Sequence, residues 1–191
     1  MATRDLVYFQ SIPWCSYLLN DPEYVITPTS SREPKENTED ALFGETLKTD
    51  QTISACLSLY KRPKALGELI EEVKTLFTVG SGVNGYPHVC HGGIVATMID
   101  EVMGILLAVN KNREEAARDS RRPAERMATV TAELTVKYLK PLKTPQTVCV
   151  TARFARVEGR KLWIKGTIID ESGTALACAQ SIFVQKQREK L

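Results

Sequence analysis

A glycine pair, Gly92-Gly93, follows His91 and opens an apolar stretch in which one carboxylate, Asp100, stands eight residues after Gly92. Backbone N–H groups at a helix start have no intrahelical acceptor and lie at the positive end of the helix dipole. With glycines there, a ligand can approach them closely. They could polarise a carbonyl and hold the oxyanion that forms when it is attacked. A carboxylate in an apolar helix is costly to bury unless it is hydrogen-bonded or does chemistry. One chain cannot bring both groups to the same carbonyl, because eight helical residues rise about 12 Å. From His91 the rise is about 13.5 Å, and the two side chains point to roughly opposite sides. Two antiparallel copies of the helix, related by a two-fold axis, would set Gly92 of one copy against Asp100 of the other. The small residues Gly93, Ala96, Thr97, Gly104 and Ala108 would permit that approach. If both groups act, the active unit is a homodimer with two composite sites.

Other constellations carry less. Gly80-Ser-Gly82-Val-Asn-Gly85 matches G-x-G-x-x-G, with Asp100 twenty residues after Gly80. A dinucleotide site would need the third glycine inside a helix and the acid at a strand end. Tyr86-Pro87 and the mid-helix position of Asp100 argue for a plain glycine-containing loop instead. His88, Cys90 and His91 supply too few spaced ligands for zinc. Cys90 sits beside a helix start, where thiolate is favoured. No His–acid arrangement supports it as a nucleophile, so it is read as a packing or pocket residue. Glu101 is rotated about 100° from Asp100 and is expected to be structural or at an interface.

These residues need elements to place them. Ile94, Val95, Met98, Ile99, Val102, Met103 and Leu106 recur at helical spacing, so His91–Asn110 is expected to be a helix buried on most sides. Four alternating runs, Met127–Tyr138, Gln146–Val157, Lys161–Asp170 and Ala175–Gln185, are separated by turn signals and read as antiparallel strands. Thr52–Tyr60 suggests a strand, or the end of a helix from Thr46. Lys64–Phe77 has helical spacing, with Leu76–Val79 open to an extended reading. Lys111–Arg126 reads as a solvated, mobile connection. Residues 1–27 hold a compact apolar group with helical spacing, and 28–40 read as a polar linker. The expected organisation is a leader and linker over 1–45 packing on a domain of 46–191. The architecture is α+β, a curved antiparallel sheet with one long helix against its face.

The 191 residues suffice for one domain with a core and an appendage. Lys+Arg 25 against Asp+Glu 23 gives +2, so no strong field points to nucleic acid or an anionic membrane. No run of about 18 uniformly apolar residues is present, so no membrane insertion is expected. Five scattered cysteines without C-x-x-C favour reduced thiols. Acidic residues early in the chain argue against a transit peptide, which favours the cytoplasm over mitochondria.

HGGIVATMIDEVMG, followed by TAELTVKYLKP at residues 131–141, resembles the hotdog-fold acyl-CoA thioesterases of the PaaI-like and THEM4-like type. The likeness spans about residues 50–187. It implies a long helix wrapped by an antiparallel sheet, dimers and often tetramers, and hydrolysis of acyl-CoA to a carboxylic acid and CoA without metal or redox cofactor. It assigns the thioester carbonyl to the Gly92 N–H with help from Gly93. Asp100 becomes the nucleophile or general base, Thr131 positions water, and His91 orients the thioester. Some relatives carry an Asn six residues before the His; here Gly85 stands there, with Asn84 one step away. CoA phosphates would call for cations, and Lys137, Lys140, Arg156, Arg160 and Lys161 lie at strand ends or turns. Two rivals share the sequence features. One is a dehydratase-like hotdog enzyme on CoA or carrier thioesters; the other is a non-catalytic acyl-CoA-binding protein.

Overall fold

The computed structural model describes residues 4–65, 67–117 and 129–185. Two short helices, α1 (Arg4–Gln10) and α2 (Pro13–Leu19), precede β1 (Tyr24–Thr27), β2 (Ile53–Lys61) and β3 (Glu72–Val79). A small hairpin of β4 (Asn84–Tyr86) and β5 (Val89–Cys90) leads into α3 (Gly92–Ala117). β6 (Thr129–Tyr138), β7 (Gln146–Glu158), β8 (Lys161–Ile169) and β9 (Ala175–Gln185) follow. The main sheet is antiparallel in the order β1-β2-β3-β7-β8-β9-β6 and packs one face on α3. This is the hotdog architecture that the sequence resemblance implied.

The apolar stripe of α3 is why it lies there. Val95, Met98, Ile99, Val102, Met103 and Leu106 are buried against the sheet, together with Phe77, Val148, Val150 and Ile164. Gly166 in β8 gives the helix room: a Cβ there would stand 2.6 Å from Ile99 and 2.8 Å from Met103. Thr97, Asp100, Glu101, Gly104 and Ala108 are only half-buried. By length and hydropathy Gly92–Arg113 could cross a bilayer, with a mean hydropathy of 1.8, so the expectation from apolar run length excluded too much. In this fold the segment is the helix that the sheet wraps.

Three sequence expectations change and a fourth is qualified. Lys64–Phe77 is not helical: residues 64–71 are irregular, β3 follows, and Leu66 lies outside the described residues. β3 is central and pairs on both sides, so its apolar residues are buried on both faces and lose the alternation that marks a strand. Second, β2 begins at Ile53 without a helix running into it; a single turn at Leu42–Thr46 stands apart from it. Third, α3 runs to Ala117, so the charged connection starts inside the helix, and its remaining residues 118–126 lie outside the described residues.

The fourth point concerns residues 28–40, read as a polar linker: most of them are exposed, but three are anchored. Thr29, Ser31 and Arg32 are buried, and the preceding β1 joins the sheet beside β2. The Tyr24 hydroxyl and the Arg153 guanidinium both donate to buried Glu72, tying β1, β3 and β7 together. α1 and α2 cover the sheet's other face through Phe9, Cys15 and Leu19.

Arg32 holds the 28–47 region in place. Only 7% exposed, it donates to the carbonyls of Phe43 (3.0 Å), Leu47 (3.2 Å) and Ile53 (2.8 Å). Removing it leaves buried acceptors unpaired, each costing about 1–3 kcal/mol. Arg32→Ala is expected to cost about 3 kcal/mol or more, which lowers the melting temperature by roughly 10 °C. A shift under about 2 °C in a thermal melt would mean that water serves those carbonyls instead.

Candidate active site

Asp100 sits half-buried on the side of α3 away from the main sheet core, and the Thr131 hydroxyl on β6 donates to its Oδ1 at 2.9 Å. Burial raises the Asp100 pKa above the ordinary carboxylate value, and the Thr131 bond partly offsets this. Such a carboxylate is more basic than a solvated one, which suits a base or a nucleophile. The pair depends on an irregularity in β6. Leu134 and Val136 pack toward the core, and Tyr138 bonds to α3. In a regular strand, Thr131 would face the other way. A β-bulge between Thr131 and Glu133, where β6 pairs with β9, shifts the alternation by one and turns the hydroxyl toward Asp100.

The helix start is built by the β4–β5 hairpin. The His91 N–H donates to the Val83 carbonyl at 2.8 Å, and His91 Nδ1 accepts the Gly93 N–H at 2.9 Å. That bond makes Nδ1 the unprotonated ring nitrogen of the neutral imidazole, so Nε2 carries the proton. Gly93's amide is therefore engaged, while no acceptor takes the Gly92 N–H among the described residues. Gly85 packs against the His91 ring, where a Cβ would lie 2.7 Å from Cδ2. Asn84 Oδ1 accepts from the Thr144 hydroxyl at 2.5 Å. Cys90 is a buried thiol whose pKa burial pushes up to about 11, away from a nucleophilic thiolate. The G-x-G-x-x-G stretch forms a turn and hairpin. A Cβ on Gly80 or Gly82 would lie 2.5 or 2.6 Å from the Gln51 carbonyl oxygen, so these glycines serve close backbone packing.

Sequence reasoning missed Tyr138. Its hydroxyl donates to the Gly92 carbonyl at 2.9 Å, and its ring lies against Gly92 although the residue is 57% exposed. A tyrosine at the end of a strand carries no signal of this role. Beside it lies a largely apolar cleft of about 330 Å³ bordered by Gly92, Val95, Tyr138 and Lys140.

The five candidate cations separate into two groups within the chain. Lys137 and Lys140 flank Tyr138 at the Gly92 end. At the other end of the strands, Arg156 stacks over Trp163 at 3.9 Å and pairs with Glu158 at 3.2 Å. Arg160 approaches the Gln185 carbonyl at 3.5 Å, and Lys161 is exposed at the start of β8. Glu101 borders a cavity of about 540 Å³, and burial pushes its pKa up to about 7, helped by the Asp40 and Asp100 charges and opposed by Ser31 and Lys35.

A single chain thus joins Asp100 to Thr131 and gathers His91, Gly92 and Tyr138 at the helix start, but leaves the two groups two helical turns apart. The thioesterase superfamily profile matches residues 88–177, which hold all of these residues. Verlamelin biosynthesis protein B of Lecanicillium sp is 25% identical over 203 residues, 95% of this chain and 88% of that protein. Acyl-coenzyme A thioesterase THEM4 of Mus musculus is 31% identical over 118 residues, 61% of this chain and 44% of that protein. The match thus spans under half the length of the mouse relative. Zebra fish thioesterase superfamily member 2 superimposes with a TM-score of 0.57 at 11% identity, covering 82% of this chain and 91% of that one. The matched region begins at His88, so the leader lies outside it.

Proposed function

We propose that the protein is an acyl-CoA thioesterase that works as a homodimer with composite sites. The observation that carries this reading is the Thr131–Asp100 pair on the open side of a helix whose first amide, Gly92, is unclaimed among the described residues. The Gly92 N–H receives the thioester carbonyl and stabilises the oxyanion. Asp100 of the partner chain then acts in one of two ways. As a base it takes a proton from water, whose oxygen adds to the carbonyl; the C–S bond breaks and the CoA thiolate recovers the proton. As a nucleophile it forms an acyl–carboxylate anhydride with loss of the thiolate, and water hydrolyses the anhydride. Thr131 holds Asp100 and the water in place, while the Gly93 amide and His91 set the helix start. Water is the only co-reactant, so no metal or redox group is required.

One two-fold axis satisfies every requirement. Tyr138 touches Gly92 and Thr131 touches Asp100 within each chain. An axis passing near Ala96 and between Leu134 and Thr135 would set Gly92 opposite the partner helix's Asp100. The same axis would place β6, an edge strand, beside its own copy. An uncovered edge invites such pairing. Lys137 and Lys140 of one chain would then approach Arg160 and Lys161 of the other, a suitable setting for CoA phosphates. Arg156, already stacked and paired, contributes less. Tetramers assembled from such dimers fit the same scheme, and Asn84 stays bonded to Thr144 at its margin.

Release of free CoA thiol from a panel of acyl-CoAs tests the reading. Turnover well above the buffer rate is expected for at least one chain length. Enoyl product from a 3-hydroxyacyl-CoA without thiol release would redirect the assignment to a dehydratase. Binding without either product would leave an acyl-CoA carrier.

A further inference from the structure

We propose that the cavity between the Ser30–Asp40 segment and the middle of α3 receives the acyl half of the substrate and selects acyl groups that carry a hydroxyl near the thioester. This deepens the thioesterase reading and rests on it. The cavity starts at Glu101, the residue after Asp100, and continues past Gly104, Leu107 and Ala108 to Lys111. Its volume of about 540 Å³ lies in the range of small-molecule sites. An acyl chain whose carbonyl meets Asp100 would enter at Glu101 and extend along Ile105, Phe154, Leu162 and Phe183, an apolar wall. The leader closes the entrance with Ser30, Ser31, Lys35 and Asp40.

That entrance is built for a polar group. Ser31 is 4% exposed, and its hydroxyl makes no hydrogen bond of normal geometry, although it lies close enough to Glu101 to favour the carboxylate. Buried hydroxyls in folded proteins are nearly always satisfied, so an orphan in a cavity wall points to a ligand atom. Charge narrows the choice. Lys35 is taken by Glu39 at 3.2 Å and Asp40 at 2.5 Å, so at the entrance the acids outnumber the one cation, while Lys111 borders the far end. A carboxyl substituent would be repelled. A hydroxyl can donate to Glu101 and accept from Ser31, satisfying both. Ser30, Ser31, Lys35 and Asp40 fall outside the family-matched region, while Glu101 lies within it.

The test compares kcat/KM for straight-chain acyl-CoAs of one length: unsubstituted, hydroxylated on an early carbon, and carrying a carboxyl on that same carbon. The wild-type protein is expected to prefer the hydroxylated substrate by about tenfold over the unsubstituted one, as sites that bond a substrate hydroxyl discriminate against its absence. The carboxylated substrate should be the poorest. Ser31→Ala and Glu101→Met, which remove the partner oxygens without adding bulk, should each bring the hydroxyl preference to about one. A wild-type ratio near one, or a ratio that survives both substitutions, overturns the proposal. If no acyl-CoA is hydrolysed, the thioesterase reading fails separately. Displacement of a fluorescent fatty acid then decides: stronger competition by the free hydroxy acid upholds the cavity assignment, and equal competition by the plain acid ends it.

Discussion

Asp100→Asn is expected to lower kcat for acyl-CoA hydrolysis by about a thousandfold or more, the scale on which a lost base or nucleophile is felt. The substitution keeps size and shape, and the amide still accepts the Thr131 hydroxyl, so the fold has little reason to change. Stability should be equal or higher. The Asp100 pKa is raised by burial, so the folded state holds the proton more tightly than the unfolded chain does. Ionisation therefore costs stability as pH rises through the unfolded value toward the folded one. At pH 8 the Asn variant escapes that cost, and below both values its advantage disappears. Activity runs the opposite way. It requires the carboxylate, so the rate should fall as pH drops through the raised pKa, above the range of a solvated Asp. Hydrolysis that persists in a folded Asp100→Asn protein would remove Asp100 from the chemistry. A large loss of stability or dimerisation would give it a structural role instead.

Mixing two inactive proteins should restore activity. Gly92→Pro removes the proposed oxyanion N–H while suiting the first position of a helix. The space is open enough, since a Cβ at Gly92 lies 3.4 Å from the Tyr138 ring. In a heterodimer of Gly92→Pro and Asp100→Asn chains, one site combines the intact Gly92 of one subunit with the intact Asp100 of the other. The second site carries both defects. Verified heterodimers should recover about half the wild-type rate per dimer, by composite-site symmetry. A random mixture, half of it heterodimer, should recover about a quarter. No recovery in folded heterodimers would show that each chain works alone or that the two groups do not share a substrate. Because each parent starts near zero, the expected gain is large and hard to mistake for repacking.

The helical periodicity around Asp100 and the alternation of the last four strands made the architecture legible, because α3 keeps one open side and those strands show their pattern. The same rules failed on β3. Leu69, Ile70, Val73 and Leu76 fall at helical intervals, but Val73 and Leu76 lie in a strand buried on both faces, which has no alternation to display. The leader misled for another reason. Its polar composition read as a linker, whereas Arg32 is polar because it must satisfy three buried carbonyls. Asp100 stood out as a charge in an apolar helix, and Thr131 came only from family likeness. Glu101, one residue along, offered no cue to its cavity, since the wall facing it comes from residues far away in the chain.

The irregularity in β6 also bears on how relatives are compared. Counting by twos from Tyr138 never reaches Thr131. A related protein without the additional residue near Ala132 would carry its inward hydroxyl one position out of step with this chain. Aligned letter by letter, two such sequences would look as though one had lost the partner of its acid, when both hold the same oxygen in the same place. Single-residue gaps in this strand therefore mark a change of phase, to be resolved before a missing Thr or Ser is taken as a missing function.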